Sequence, residues 1–142
     1  MISYLGSRRS KPAWWTDDEW ASTQQTNQGA LKNYFEAKLA ADEVLTACAL
    51  KRDDFAAVDL RPGMLTEEPA GRVQLGKTKG KGSTSRASVA EAIVACLETE
   101  GARGWLDILD GEEDVKGAVE RCAREGVDCV EGEDLERIKG LV

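Results

Sequence analysis

A long helix followed at once by a buried strand is the feature that most constrains the fold of this chain. Residues 27–48 carry apolar side chains at helical spacing, and Asp42 is the one charged residue in that stripe. Residues 55–60 are mostly apolar on both faces, which is typical of a strand in a parallel sheet covered by helices. Pro62 and Gly63 end this strand. The pattern predicts an α/β fold.

The rest of the chain continues the alternation of helices and strands. Further strands are predicted at residues 1–5, 72–75 and 105–109, and further helices at residues 16–25, 85–97 and 114–124. Thr16 and Glu19 have the spacing of a capping box at the start of a helix. The order implies βαβ units and a mostly parallel sheet of three to four strands with flanking helices. We expect one domain, residues 1–142, in which the acidic tail at residues 127–142 is a short helix or a frayed end.

Composition and charge exclude several classes of function. The net charge is −7, so neither a nucleic-acid-binding surface nor a polybasic membrane patch is expected. No apolar run approaches the roughly 20 residues of a membrane span. The chain has no histidine, which rules out His-ligated metals and Ser-His-Asp triads. Its four cysteines have no metal-ligand spacing, and no metal site is expected. We expect reduced thiols and a cytoplasmic protein, with a Cys122–Cys129 disulfide as the less favoured alternative.

Tyr34 and Lys38 form the candidate catalytic pair. Residues four apart on a helix share one face, so the phenol and the ammonium can meet. A nearby cation stabilises a phenolate, which makes the phenol a better acid/base near neutral pH. The competing interpretation is a chance spacing of two common helix residues.

Four segments, taken in order, resemble the C-terminal half of an atypical short-chain dehydrogenase/reductase of the NmrA-like, NAD(P)-binding type found in fungi. They are residues 2–6, residues 34–43 with the Tyr-x-x-x-Lys pattern, residues 58–66 with the Pro-Gly turn, and residues 85–93.

The resemblance implies a role for each matching residue. Tyr34 would be the acid/base for hydride transfer, and Lys38 would hold the ribose hydroxyls of NAD(P) and lower the pKa of the tyrosine. Ser3 would polarise the substrate carbonyl, although a strand-end hydroxyl with a local hydrogen bond is the alternative. Pro62, Gly63 and Thr66 would contact the nicotinamide carboxamide. For Arg61, a salt bridge or a surface position is favoured over catalysis.

The chain departs from the family in one respect: it has no Gly-rich turn between a first strand and a first helix, where such proteins bind the cofactor pyrophosphate. Residues 76–82 are rich in Gly and Lys, but they lack the order of a phosphate-binding loop and are predicted to be a surface loop, with a substrate lid or a weak phosphate contact as the less favoured alternative. A partial Rossmann-like fold that lacks the N-terminal dinucleotide-binding half is therefore expected, with little affinity for cofactor. The strand at residues 1–5 would then have an unpaired edge, available for a dimer or another partner.

Three interpretations of function follow. The first is an NAD(P)-dependent oxidoreductase for a small carbonyl or alcohol, truncated and weakly active or inactive alone. The second is a non-enzymatic, NmrA-like redox-sensing or protein-interaction module, and the third is a decayed fragment. The cluster of Trp14, Trp15 and Trp20 either shapes a substrate pocket or marks an interface.

Overall fold

The computed structural model describes residues 1–142 as five helices and five strands. The helices are α1 Asp17–Gln28, α2 Lys32–Lys51, α3 Arg86–Glu98, α4 Val115–Glu125 and α5 Leu135–Lys139. The strands are β1 Val58–Pro62, β2 Met64–Thr66, β3 Val73–Gly76, β4 Ser83–Ser85 and β5 Gly104–Asp110.

The strands form two small sheets. The larger has the order β1-β5-β3, in which β1 and β5 are parallel while β3 and β5 are antiparallel. The smaller pairs β2 with β4 in parallel. The expectation of one mostly parallel sheet is therefore confirmed only in part: two of the three strand pairs are parallel, but there are two sheets and the larger one is mixed. The chain passes from β1 to β3 through residues 63–72 without a helix, and it needs a longer crossover to return and run parallel to β1.

The N-terminal segment is extended but is not a regular strand. Ile2 forms a single parallel bridge with Leu60, and the amides of Ser3 and Leu5 donate to the carbonyl oxygens of Leu60 and Pro62 at 2.8 Å each. Pro62 has no N–H to donate in return, so the ladder stops at this point. The segment still extends the sheet beyond β1.

Local signals fix the helix ends. Thr16 and Glu19 form both halves of the predicted capping box, and Ser85 caps α3 by accepting from the amide of Ser88. Gly126 ends α4 in the left-handed conformation with φ of 64°. The long helix begins later than predicted, because α1 runs to Gln28 and a turn separates it from α2.

The two faces of the larger sheet differ in chemistry. On one face, α3 and α4 enclose an apolar core that includes Leu60, Ile108 and Val119. The opposite face bears Asp59, Arg61, Trp105 and Asp107 and includes a buried set of charges described below.

The acidic tail takes the form of the short helix, since α5 is capped by Asp134 and buries Ile138. All four thiols are free. No helix is long and apolar enough to cross a membrane.

Candidate active-site cleft

A cleft of about 530 Å³ opens at the C-terminal end of β1. Four of the predicted site residues line it: Ser3, Tyr34, Pro62 and Gly63. The other two, Lys38 and Thr66, are not among its lining residues. Ligands of open α/β sheets bind at the C-terminal ends of the parallel strands, so the position suits a binding site.

The predicted pair lies on one face of α2. The Lys38 Nζ atom is 5.7 Å from the centroid of the Tyr34 ring, and it donates a hydrogen bond of 2.9 Å to the carbonyl oxygen of Ile2. The Tyr34 side chain is exposed toward the cleft, at 46%. The ammonium and the aromatic ring are therefore neighbours, as the spacing of four predicted.

A second tyrosine, Tyr4, packs against Tyr34, and it was not identified from the sequence as a site residue. The Tyr4 ring packs against the Tyr34 ring at a centroid distance of 5.2 Å. The Tyr4 hydroxyl donates to Asn27 Oδ1 at 2.8 Å, and Asn27 Nδ2 donates to the carbonyl oxygen of Gly6. Burial raises the pKa of Tyr4 above its ordinary value, helped by the neighbouring Tyr34. Tyr4 thus stays protonated and holds one side of the cleft.

The Ser3 hydroxyl is buried, and its hydrogen-bond partner is a carboxylate on α2. It donates its only proton to Asp42 Oδ2 at 2.7 Å, and the hydroxyl of Ser7 donates to the same oxygen. The partner of Ser3 lies on α2, so this hydrogen bond is not local in sequence. In this arrangement Ser3 joins the cleft to the charges beneath it.

Those charges form a buried ion network on the α2 face of the sheet. Arg61 Nη1 lies 3.1 Å from both Asp42 Oδ2 and Asp59 Oδ2, and Arg61 Nε lies 3.3 Å from Asp107 Oδ1. Arg8 Nη2 is 3.0 Å from both oxygens of Asp107. The Arg61 guanidinium also lies 3.9 Å from the centroid of the Trp105 ring. The prediction of a salt-bridge role for Arg61 is confirmed.

The network holds two guanidinium groups and three carboxyl groups, so its charges do not balance if every group is ionised. Burial raises the pKa of Asp59 to about 7, although Arg61 opposes the rise. Burial also raises the pKa of Asp107. One oxygen of Asp59, Oδ1, is buried without a hydrogen-bond partner. A proton on Asp59 therefore relieves the excess negative charge.

The Gly- and Lys-rich segment at residues 76–82 is a surface loop, as predicted, with Lys77, Lys79 and Lys81 exposed, and its residues 80–82 also form a wall of the cleft. The carbonyl oxygen of Thr78 accepts from Trp15 Nε1 at 3.0 Å, and the amide of Gly80 donates to Glu19 Oε1 at 3.1 Å. The amide of Met64 donates to the carbonyl oxygen of Gly82. These hydrogen bonds attach the segment to the start of β2. They also attach it to residues 14–28, a Trp-containing segment that includes α1 and is called the insert below.

Close packing explains why two of the residues that line the cleft are glycines. A Cβ on Gly63 would lie 2.3 Å from the carbonyl oxygen of Gly82, and one on Gly80 would lie 2.8 Å from the Trp15 ring. Trp15 itself is buried with Leu5 and Leu109. The tryptophan therefore folds the insert onto the sheet.

Comparison with known protein families identifies the family of this chain. Residues 1–100 match the model of a family described as NAD(P)H-binding. The chain belongs to this NAD(P)H-binding family. No curated protein matches its sequence.

Two solved structures resemble this NAD(P)H-binding chain. The oxidoreductase ylbE from Lactococcus lactis is 25% identical with a TM-score of 0.64, and the match covers 87% of this chain and 50% of that one. A protein from Bacillus halodurans, proposed to be an NAD-dependent epimerase/dehydratase, is 24% identical with a TM-score of 0.60, and the match covers 85% and 50%. The chain therefore spans half the length of each structure.

No group of three or more His, Cys, Asp or Glu side chains is placed to hold a metal ion. The arrangement offers instead a phenol beside an ammonium, a Pro-Gly junction at the end of a parallel strand, and a walled cleft between them.

Proposed function

We propose that this NAD(P)H-binding chain carries the substrate side of an NAD(P)-dependent oxidoreductase of the atypical short-chain, NmrA-like type, acting on a small carbonyl or alcohol. The observation that supports this is the cleft itself, which brings Tyr34, Pro62 and Gly63 together at the C-terminal end of β1. In such a reaction Tyr34 gives a proton to the carbonyl oxygen or takes one from the alcohol. Lys38 lies beside it, with Nζ 5.7 Å from the centroid of the Tyr34 ring.

The residues present fit the nicotinamide end of NAD(P), which supplies the hydride in this chemistry. Lys38 has three N–H groups and uses one on Ile2, so it retains donors for ribose hydroxyls. Thr66 Oγ1 is buried without a hydrogen-bond partner, and it follows Pro62 and Gly63 along the chain. These four residues would hold the nicotinamide ribose and carboxamide. The pyrophosphate end has no counterpart, because the chain contains no Gly-rich turn that leads from a strand directly into a helix.

This division of the site predicts which cofactor fragment the chain binds. We expect nicotinamide mononucleotide to shift the backbone amide resonances of Tyr34 and Gly63 in ¹H–¹⁵N NMR spectra, and we expect AMP to leave them unchanged. Lys38→Ala should weaken this binding, whereas Lys32→Ala, at the exposed start of the same helix, should not. Intact NADPH should bind only weakly.

Two results would contradict the proposal. One is an absence of shifts with nicotinamide mononucleotide, and the other is binding of AMP as tight as that of the nicotinamide fragment. Saturable binding of NADPH at micromolar concentration would show that the chain holds the pyrophosphate by another route.

A second proposal concerns a partner, because part of the surface is unusually apolar. Leu97 and Val94 of α3 are 83% and 53% exposed. Leu97 lines a groove of about 530 Å³, mostly apolar, that also includes Met1 and Leu60. Beside it, the 1–5 segment has one side without a neighbouring strand. We propose that a partner equivalent to the half of ylbE that this chain does not cover adds to this edge and groove.

Co-purification tests the partner proposal. The uncovered half of ylbE, expressed with this chain, should co-elute with it, and Leu97→Glu should abolish co-elution, while Leu141→Glu, at a leucine that is 45% exposed and lies outside the groove, should not. If the two halves of ylbE co-elute with each other but this chain does not join the uncovered half, the proposal is wrong. A stable homodimer that Leu97→Glu dissociates would show that a second copy is the occupant.

A further inference from the structure

We propose that the cleft selects substrates that carry an anionic group, a carboxylate or a phosphate, and that Lys81 and Arg86 bind this group. The inference rests on the proposed oxidoreductase function, because it concerns the same cleft.

Lys81 is the first of these cations. It lies in the wall segment at residues 76–82 and lines the cleft between Gly80 and Gly82. The structure gives Lys81 no ion pair, whereas Lys77 of the same segment pairs with Glu131. Hydrogen bonds hold the backbone on either side of Lys81. The amide of Gly80 donates to Glu19 Oε1, and the carbonyl oxygen of Gly82 accepts from the amide of Met64. An unpaired ammonium is thus held at the cleft by an ordered backbone.

Arg86 is the second cation, and it comes from a different element. It is the first residue of α3 and lines the same cleft. Its guanidinium pairs with Glu67 at 2.5 Å, but the two side chains are 57% and 83% exposed. Such an exposed pair contributes little free energy, so an anionic ligand can replace Glu67. The N-terminus of α3 adds a partial positive charge to the same place.

The carboxylate that lines the cleft already accepts several hydrogen bonds. Glu19 is the one acidic residue that lines the cleft. Its Oε2 accepts from the amide and hydroxyl of Thr16, and its Oε1 accepts from the amide of Gly80. The hydrogen bond from the Thr16 amide is the largest factor that lowers the pKa of Glu19. Glu19 is therefore a structural anion, and Lys81 and Arg86 leave the cleft with one net positive charge on a chain of net charge −7.

Pyruvate and acetone form a matched pair of probes, because both are small ketones and only pyruvate carries a carboxylate. Binding is measured on the chain itself by ¹H–¹⁵N NMR, from the amide resonances of Gly80, Gly82 and Arg86. We expect pyruvate to shift all three in a saturable manner and acetone to leave them nearly unchanged. Added salt should weaken the binding of pyruvate, because the two cations are exposed.

Substitutions locate the charge that matters. Lys81→Gln and Arg86→Gln should each weaken pyruvate binding by as much as about fivefold, the range of an exposed ion pair. Lys79→Gln is the matched control, since Lys79 is an exposed lysine of the same segment that does not line the cleft. Inorganic phosphate should compete with pyruvate for the same amides.

The outcomes separate this proposal from the proposed function. Equal shifts with acetone and pyruvate, no saturable shift with pyruvate, or equal losses in the Lys79 and Lys81 variants would each overturn the anion site. Binding of nicotinamide mononucleotide is a separate measurement. If that fragment fails to bind while pyruvate binds as expected, the anion site stands and the oxidoreductase function is what fails.

Discussion

Replacement of Asp59 by Asn should change how the stability of this protein depends on pH. In the folded chain the pKa of Asp59 is raised by burial from an ordinary value of 3.8 to about 7. A group whose pKa is higher in the folded state stabilises the fold while it is protonated. That contribution is lost as the pH rises from about 4 to about 7, because the unfolded chain releases the proton first.

The size of the effect follows from the two pKa values. They differ by about 3 pH units, and each unit corresponds to about 1.4 kcal/mol, which gives as much as about 4 kcal/mol. Arg61 attracts the ionised carboxylate, while Asp42 repels it. Asn has nearly the same shape as a protonated Asp and does not titrate. The variant should therefore match the wild type near pH 4 and be more stable than it near pH 8.

Urea unfolding followed by tryptophan fluorescence measures this difference at several pH values. Other acids, such as Asp107, titrate in both proteins, so the difference between them isolates Asp59. Stability curves that run parallel from pH 4 to pH 8 would refute the argument, because they would mean that Asp59 is ionised in the folded chain throughout.

Three further substitutions test other parts of the structure by the same unfolding assay. Arg61→Met should cost about 3–5 kcal/mol because it leaves buried carboxylates without their cation, and a loss below about 1 kcal/mol would contradict the network. Thr16→Ala should cost about 1 kcal/mol by removing the capping box, whereas Thr26→Ala, near the end of α1, serves as a control with little expected change. Gly63→Ala should cost about 1–3 kcal/mol because the new Cβ would meet the carbonyl oxygen of Gly82, and an unchanged midpoint would show that this wall moves freely.

Features that depend on neighbours in sequence could be predicted. The capping box of Thr16 and Glu19 needs only two residues that lie three apart in the sequence, and the structure contains both of its hydrogen bonds. The approach of Lys38 to Tyr34 likewise follows from the geometry of one helix turn. Asp42 was visible as a charge within an apolar stripe, and such an exception signals a buried partner.

Features that depend on distant contacts could not be predicted. Strands β2 and β4 have three residues each, too few for a periodic pattern, so their pairing left no signal in the sequence. Arg8 lies outside every helix and strand, yet it is buried against Asp107, which lies on β5. The role of residues 76–82 as a cleft wall could not be predicted, because the hydrogen bonds that attach this loop come from Trp15 and Glu19, more than fifty residues earlier in the chain.

Glu19 performs two tasks with one side chain: it closes the first turn of α1 and it holds the amide of Gly80. Unwinding of that turn consequently breaks one of the hydrogen bonds that hold the cleft wall. Any compound that occupies the cleft must, by thermodynamic linkage, also protect the insert from local unfolding. The resistance of the α1 region to proteolysis should therefore increase with ligand occupancy of the cleft. It can report the binding even of a compound whose turnover has never been observed.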